Sequence, residues 1–543
     1  MPRIAKVVVE IAIGHEFDYL VPDALADRVQ IGSRVIVPFG RSEARGFVVG
    51  FADSSPHPGL KEIRDVVGHK PLIGEKLLEL ARWMGDYYAA PVEQAVHTVL
   101  PGAVRRKGAG FKERLFVFPG AAATDVLAVE DLRKRAPKQA AVLDLLLTGD
   151  SMFLHHLARA AKTSAQTVRA LEEKGFVRIG RQAQERDPLA GQTILRTDPL
   201  KLMPQQEAAF ELVKKSIDTR VPPVVLLYGV TGSGKTEVYL QALDYVLKQG
   251  KGAVILVPEI SLTPQTVERF RGRFGESIAV LHSHLSQGER HDEWHRVHEG
   301  RARIAIGARS AVFAPVKDLG LIVVDEEHEN SYKQEEAPRY NARDVAVMRG
   351  RMEACAVLLG SATPSLESFH NAQRGKYGLA ELPHRVDHRR MPSVRVVDMR
   401  IEAEKEGRAH VLSVDLVEAI RGRLDRAEQT ILFLNRRGFA TSLVCHKCGY
   451  VARCDACSVA MTYHRATGKL HCHVCGAGRV VPAKCPNPEC RDPSFRYAGI
   501  GTQRVEDVVT RMFPHARVHR MDADTTTRKN SHSHILGDFR TGK

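Results

Sequence analysis

Gly229-Val230-Thr231-Gly232-Ser233-Gly234-Lys235-Thr236 is the stretch on which the reading of this chain turns. It follows an apolar run, Val224-Val225-Leu226-Leu227-Tyr228, and precedes a helix-like run, Glu237-Val238-Tyr239-Leu240-Gln241-Ala242-Leu243. Strand, glycine-rich turn and helix start are the context a phosphate-binding P-loop needs, whereas a chance Gly-rich turn lacks it. Gly229, Gly232 and Gly234 let the backbone around Ser233 curl so that amide N–H groups point inward at phosphate oxygens. Lys235 is placed to reach the β- and γ-phosphates, and the Thr236 hydroxyl to ligate magnesium. The stretch therefore implies a nucleoside triphosphate site.

Outward from it, between about 200 and 390, apolar strands alternate with helices: Val224–Tyr228, Ala253–Pro258, Ile278–Leu281, Ile304–Gly307, Leu321–Asp325 and Ala356–Leu359. That alternation predicts an α/β fold, a parallel sheet with helices on both faces. Leu321-Ile322-Val323-Val324-Asp325-Glu326-Glu327-His328 reads as a buried strand ending in acids. Ligands sit at the carboxyl ends of such strands. Asp325 is placed to hold magnesium, directly or through water, and Glu326 to polarise an attacking water; acids that only cap the next loop are the plainer alternative. With the P-loop, they point to phosphoryl transfer to water. A second such unit starts near Ser393, with strands Val394–Val397 and Thr430–Leu434; it breaks near 440 and resumes near Phe495.

Upstream, residues 1 to about 104 carry strands Lys6–Ile13, Arg34–Phe39 and Gly46–Gly50, then helix over Gly74–Ala90. Residues 105–115 are basic and linker-like. Gln139–Leu147, Phe153–Ala161 and Ser164–Lys174 read as three short helices, and Gly175–Gly180 as the first strand of a hairpin. That order predicts a winged helix with Ser164–Lys174 as its recognition helix; a helical spacer fits the same pattern.

At 543 residues the chain has room for roughly three to five domains of about 100–200 residues. It is 43% hydrophobic with net charge +15. Such a charge favours a polyanionic partner, because basic residues displace counterions from phosphate backbones, although it also serves solubility. No apolar run reaches about 18 residues, so no membrane span is expected. Met1-Pro2-Arg3-Ile4-Ala5-Lys6 lacks an h-region and a cleavage site, so no secretory signal is expected. Eight of nine cysteines crowd between Cys445 and Cys490, which argues for metal over disulfides. They form pairs Cys445/Cys448, Cys454/Cys457, Cys472/Cys475 and Cys485/Cys490. Thiolate pairs at these spacings chelate tetrahedral zinc, and eight thiolates make two Cys₄ sites. Spacing alone leaves the pairing open. His446, His464, His471 and His473 lie nearby, but a full thiolate set leaves them unneeded. Cys355 stands alone beside an apolar strand and reads as core.

Around the acidic motif lie Leu256-Val257-Pro258-Glu259-Ile260-Ser261-Leu262-Thr263-Pro264-Gln265, Leu281-His282-Ser283-His284-Leu285, Gly307-Ala308-Arg309-Ser310-Ala311-Val312-Phe313-Ala314-Pro315, Gly360-Ser361-Ala362-Thr363-Pro364-Ser365 and Phe433-Leu434-Asn435-Arg436-Arg437-Gly438. In this order, with the cysteines inside the second unit, the chain closely resembles the primosomal protein N′ (PriA) family of superfamily 2 replication-restart helicases. The resemblance runs from the first residue to the last. It implies two RecA-like lobes, the second incomplete, with a zinc-binding insertion, preceded by a small β-rich DNA-binding domain and a winged helix. The implied boundaries are 1–104 for the 3′-end DNA-binding domain, 105–195 for linker and winged helix, and 196–392 for lobe 1. Lobe 2 takes 393–440 and 495–543 around the two-zinc insertion 441–494.

The resemblance also implies residue roles. Gln206 stands where such helicases read the adenine edge. Gly360–Thr363 resembles motif III, which links the nucleotide site to the DNA groove. The stretch 331–344 resembles an aromatic-rich loop coupling DNA contact to hydrolysis. There Tyr332 and Tyr340 would stack on bases and Lys333, Arg339 and Arg343 meet phosphates; an ordered loop with tyrosines in a minor core is the alternative. The zinc ligands would nest, Cys445, Cys448, Cys485 and Cys490 on one ion, Cys454, Cys457, Cys472 and Cys475 on the other. Phe17, Asp18, Gly40 and Lys61 match a pocket for a nascent 3′ end: a base on Phe17, the 3′-hydroxyl on Asp18, close approach at Gly40, phosphate on Lys61. Read without the resemblance, Phe17 is a core residue.

The family pattern continues past Lys543 with a Gln-x-x-Gly-Arg-Ala-Gly-Arg motif and a further domain. Its arginine faces the γ-phosphate, and such a finger contributes about 10³–10⁵ in rate. The expectation is a chain that binds ATP and hydrolyses it poorly. The implied function is an ATP-dependent 3′-to-5′ DNA helicase that recognises stalled or repaired forks and starts primosome reassembly. The alternative is a fork-binding loading platform with little ATP turnover; a zinc-ribbon transcription or repair ATPase is a third reading, without a reason for a 3′-end pocket. Implied cofactors are ATP, Mg and two Zn. Implied partners are DNA forks (single strand, duplex arms, nascent 3′ end), single-strand-binding protein and primosome proteins, in a bacterial cytoplasm at the nucleoid.

Overall fold

The computed structural model describes residues 3–542 except 11–14, 69, 106–111, 149–150, 185, 187–194, 260–261, 284, 388–391, 400, 403–410, 435–441, 446–447, 465–467, 473, 492–494, 499–501, 522–524 and 526–530. Several expectations fall outside these residues: the end of strand Lys6–Ile13, Ile260 and Ser261, His284, Asn435–Gly438, His446 and His473. The chain divides into two units, Met1–Arg390 and Met391–Lys543. Among the described residues no helix is long and apolar enough to cross a membrane.

The first unit begins with β1 (Ile4–Val9), β2 (Glu16–Leu20), β3 (Arg34–Phe39), β4 (Ser42–Ala52) and β5 (Asp65–Val67), antiparallel in the order β2-β1-β4-β3-β5. Helices α1 (Glu75–Tyr87), α2 (Val92–Val99) and α3 (Gly102–Arg105) follow. Next come β6 (Lys112–Pro119), α4 (Val126–Arg135), α5 (Pro137–Thr148), β7 (Met152–Phe153), α6 (Leu154–Ala160), α7 (Ala165–Glu173) and β8 (Val177–Gln184). The three helices read from sequence are α5 to α7. The hairpin expectation is corrected: among the described residues β8 pairs antiparallel with β6, which precedes helices α4 to α7. Leu115-Phe116-Val117-Phe118 gives β8 a complementary strand, so part of the linker-like stretch is sheet.

The central sheet contains β9 (Val224–Gly229), β10 (Gly252–Leu256), β11 (Ile278–Leu281), β12 (Ile304–Gly307), β13 (Leu319–Val324), β14 (Ala356–Ser361) and β15 (Gly378–Leu382), in the order β11-β12-β10-β13-β14-β9-β15. Every pairing is parallel. All six strands read from sequence are present. Alternate residues face opposite sides of a strand. Thus Val225, Leu227, Ile255, Val323 and Leu358 pack under α8 (Pro204–Thr219), α9 (Lys235–Lys248) and α10 (Pro264–Phe274). Leu226, Leu256, Ile322, Val324 and Leu359 pack on the other face with Trp294 of α11 (Gln287–His298) and Val345 of α12 (Ala342–Met352). That second core also takes in Leu77, Leu80 and Met84 of α1 and Val96 of α2. Helix α13 (Leu366–Gln373) leads into β15. Because β14 lies between β9 and β13, the carboxyl ends of these three strands stand side by side.

The second unit differs from the expected parallel sheet. Val394–Val397 and Thr430–Leu434 are not strands. No ladder partner pairs with either among the described residues, and alternate side chains lie open: Val396 is 89% exposed and Phe433 87%, while Leu432 packs against the Ile420 core. Without a ladder, extended backbone is left to solvent rather than fixed as sheet. Helices α14 (Val414–Leu424) and α15 (Thr502–Met512) share a small core of Ile420, Val509 and Phe513, and α16 (Ser531–Thr541) follows. Between them β16 (Ser442–Cys445), β17 (Thr462–His464), β18 (Lys469–His471), β19 (Gly478–Val480) and β20 (Phe495–Ala498) form a sheet in the order β19-β18-β17-β16-β20. The segment expected to resume the parallel sheet at Phe495 instead pairs antiparallel with β16.

Candidate nucleotide, metal and DNA sites

Gly229 ends β9 and Lys235 opens α9, with Gly234 at the N-cap at φ 81° and ψ 27°. Gly232 has φ 80°. Both conformations favour glycine. A methyl group at Gly234 would also lie 2.2 Å from Gln206 Nε2. Lys235 is buried and its Nζ donates to the Gly229 carbonyl at 2.8 Å. Ser233 is fully buried, and its Oγ has no partner. An orphan hydroxyl and an ammonium beside curled backbone form a donor set that fits phosphate. The adjoining cleft of about 490 Å³ is lined by Thr231–Glu237, Asp325 and Glu326, with Arg269 and Arg273 from α10. That volume suits a nucleotide-sized ligand.

Gln206, expected to read the adenine edge, is turned to the P-loop. Its side chain is 3% exposed; Nε2 donates to the Ser233 carbonyl at 2.9 Å and Oε1 accepts from the Met203 amide at 2.8 Å. Gln206 braces the loop from behind, because the αL turn at Gly234 leaves room for its amide and its own helix start needs an acceptor.

Asp325 follows β13 and lines the cleft with Thr236. Its Oδ1 accepts from the Tyr239 hydroxyl at 3.0 Å and from the Glu326 amide at 3.1 Å. Withdrawal from water, then the neighbouring Glu326 carboxylate, pushes Asp325 up to about 6, while the Tyr239 hydrogen bond and Lys235 pull it back. Such a crowded acidic pair suits a divalent cation. Tyr239 is a residue that sequence reasoning missed. It reads as core in an amphipathic helix, and only the sheet order brings it to Asp325. Its hydroxyl also explains Gly360, where an added methyl would lie 1.7 Å from it. Gly360→Ala is expected to cost about 1–3 kcal/mol through overpacking. Thermal denaturation checks this, and an unchanged melting temperature would refute the packing.

Glu327 is the second missed residue. It is fully buried and accepts from the Ser365 amide at 2.7 Å, Ser365 Oγ at 3.0 Å and Ser368 Oγ at 2.9 Å. Beside it, the His328 ring lies 2.7 Å from Ser361 Oγ and 3.4 Å from Thr363 Oγ1. The acidic motif and Gly360-Ser361-Ala362-Thr363 are thus one hydrogen-bonded body.

The aromatic-rich loop requires a further correction. Tyr332 and Tyr340 are each 1% exposed, so neither ring faces a base. The Tyr332 hydroxyl donates to the Asp325 carbonyl at 2.7 Å, and Tyr340 packs edge-on against Phe313 at 5.2 Å. Arg343 is also turned inward, donating to Ser365 Oγ at 2.7 Å and lying 3.4 Å from Glu327. Burial of aromatic area and satisfaction of Glu327 win over solvent exposure here. Lys333 and Arg339 remain exposed. Lys333 Nζ sits 5.4 Å over the Tyr88 ring, and the Tyr88 hydroxyl accepts from the Asn341 amide at 3.2 Å.

The eight cysteines fall into two groups, Cys445, Cys448, Cys485 and Cys490, and Cys454, Cys457, Cys472 and Cys475, with the ligand atoms of each within 4.8 Å of one another. Within the groups, sulfur pairs stand at 3.7 Å for Cys445–Cys490, and 3.6 Å for Cys448–Cys485 and Cys454–Cys475. Tetrahedral ligands at about 2.3 Å from zinc stand about 3.8 Å apart, so the donor set fits. Among the described residues neither group includes a histidine. Cys355 is buried in the core, which pushes its thiol up to about 12.

The four residues assigned to a 3′-end pocket lie on neighbouring elements. Phe17 and Asp18 are on β2, and Gly40 forms the β3–β4 turn at φ 60° with open space above it. Lys61 runs beside β2, its carbonyl accepting from the Leu20 amide, and its Nζ donates to the Gly40 carbonyl at 3.4 Å. Phe17 is half-buried edge-on against Phe39 at 5.4 Å, and Asp18 accepts from Ser55 Oγ at 2.6 Å.

Three family models match: a PriA 3′ DNA-binding domain over residues 6–101, a DEAD/DEAH box helicase over 203–372, and a PriA DNA helicase Cys-rich region over 454–479. The chain is similar to the replication restart protein PriA of Bacillus subtilis, 41% identical, with 100% of this chain and 75% of that protein covered. It is also similar to those of Haemophilus influenzae, 38% identical over 100% and 73%, and Chlamydia pneumoniae, 36% identical over 99% and 72%. By these matches, which extend over its whole length, the chain belongs to the replication restart protein PriA family and is an ATP-hydrolysing DNA helicase.

Proposed function

We propose that this helicase moves 3′-to-5′ on DNA, recognises stalled or repaired forks and initiates primosome reassembly. The observation that carries the reading is the alignment of three strand ends. It puts Lys235 and Thr236, Asp325 and Glu326, and Gly360–Thr363 along one edge of the sheet. Lys235 and the P-loop amides hold the triphosphate. Thr236 and Asp325 hold the magnesium, which offsets phosphate charge when bound. Glu326 orients and polarises the attacking water. Tyr239 fixes the Asp325 carboxylate through its hydroxyl, and Glu327 and His328 carry any shift of the acidic motif into the segment 361–368.

On the DNA side, Phe17, Asp18, Gly40 and Lys61 take the terminal nucleotide, a base against the ring and the hydroxyl on the carboxylate. Lys333 and Arg339 meet phosphates, while Tyr332, Tyr340 and Arg343 tie their loop to the nucleotide site. Two structural zinc ions, one in each cysteine group, shape the second unit's DNA or partner surface. The family resemblance adds single-strand-binding protein, other primosome proteins and a nucleoid location.

The test is DNA-stimulated ATP hydrolysis together with strand displacement on forks that differ only in a 3′-hydroxyl or a blocked 3′ end. Turnover of about 1–10³ s⁻¹ with displacement favouring the free 3′ end is the expected result. Fork binding with no stimulated turnover would instead make the chain a loading platform.

A further inference from the structure

Arg273 lines the nucleotide cleft and has no part in the chemistry above. Its side chain is 7% exposed. Nη2 donates to both oxygens of Glu237, at 3.1 and 3.2 Å. The same carboxylate accepts from the Leu200 amide at 3.1 Å and from Gln241 Nε2 at 2.9 Å. The other two guanidinium nitrogens, Nε and Nη1, are buried without a partner. Buried donors are almost always paired, and leaving one unpaired costs as much as losing a hydrogen bond. Two such donors on one residue at the wall of a ligand cleft point to acceptors that come from outside the chain.

The phosphates already have Lys235 and the P-loop amides. Glu237 neutralises the Arg273 charge, so what Arg273 still offers is directional N–H donors on a planar group rather than net positive field. Leu200 and Leu240 line the same cleft and supply apolar surface. Planar donors beside apolar side chains match a nucleobase and ribose, not a triphosphate tail.

We propose that Arg273 binds the nucleoside portion of the nucleotide, its Nε and Nη1 donating to acceptor atoms of base or ribose, with Glu237 holding the guanidinium in place. This adds to Gln206 a side chain that reads that end, and it rests on the cleft being the ATP site.

Calorimetric titration of the full chain with magnesium β,γ-imido-ATP and with magnesium tripolyphosphate tests it. Arg273→Ala is expected to weaken the imido nucleotide about tenfold or more, as for loss of charge-assisted hydrogen bonds, and to leave tripolyphosphate unchanged. Arg273→Lys keeps the pair with Glu237 but lacks the fork, and is expected to weaken the nucleotide as well. Unchanged nucleotide affinity in Arg273→Ala overturns the proposal. Equal weakening of both ligands in Arg273→Lys also overturns it, because a phosphate contact is then at work. If Arg273→Ala loses both ligands by misfolding, Arg273→Lys decides. A wild-type chain that binds neither ligand overturns the ATP-site reading, and the proposal with it, whereas normal wild-type binding with a silent Arg273→Ala overturns this proposal alone.

Discussion

Stripping bound zinc from the native chain is expected to unfold the cysteine-bearing sheet. Its five strands are three or four residues long. Its core is Leu443, Ala452, Met461 and Leu470 with the sulfurs of Cys454 and Cys472. Cores this small do not hold a fold without a staple. Zinc bound at these cysteines would therefore supply folding free energy, about 10–16 kcal/mol for a structural site. Native protein is expected to carry two zinc ions by elemental analysis. Cys472→Ser is expected to lose one of them, and hydrogen exchange across 442–498 to rise sharply after chelation. Nucleotide binding in the first unit is expected to persist, since its core shares no residue with this sheet. Native protein without zinc, or exchange that chelators leave unchanged, would falsify the structural-zinc reading.

The second large effect separates grip from chemistry at the P-loop. Lys235→Ala removes the buried ammonium and is expected to abolish measurable ATP binding and DNA-stimulated turnover. Glu326→Gln keeps the shape and is expected to retain nucleotide while turnover falls about 10²–10⁴-fold, the range for loss of a general base. Glu326 is held at φ 45°, and a non-glycine residue keeps such a conformation only when its surroundings fix it. Here the neighbouring backbone does so, the Glu329 amide donating to the Glu326 carbonyl at 2.9 Å. Steady-state hydrolysis and equilibrium nucleotide binding, measured on both variants, read the two roles apart. Wild-type turnover in Glu326→Gln would remove Glu326 from the chemistry.

Much of this arrangement was legible in the amino-acid order. The P-loop, six parallel strands and four cysteine pairs are long patterns with fixed spacing, and backbone geometry leaves them little choice, whereas the nesting of those pairs came only with the family resemblance. What was not legible depends on which elements become neighbours. Gln206 sits one residue from Gln205 in a polar run, and nothing local says that it turns toward Ser233. Tyr332 and Tyr340 lie in a charged loop, yet the Asp325 carbonyl and Phe313 supply partners that bury them. Tyr239 and Glu327 acquire their contacts only because β14 separates β9 from β13. The apolar runs at 394–397 and 430–434 look like strands, but a strand needs a ladder, and none pairs with them among the described residues.

Helices α1 and α2 share one apolar interior with Trp294, Phe313 and the outer face of the ATPase sheet. Excising the amino-terminal hundred residues would therefore strip a wall from the motor and leave those side chains in water. Bare apolar surface is penalised at about 25 cal/mol per Å². On the roles proposed above, the end-sensing pocket is anchored to the motor rather than tethered: Val8, Phe47 and Val49 of its sheet join the same interior as Leu226 of β9, the strand that leads into the P-loop.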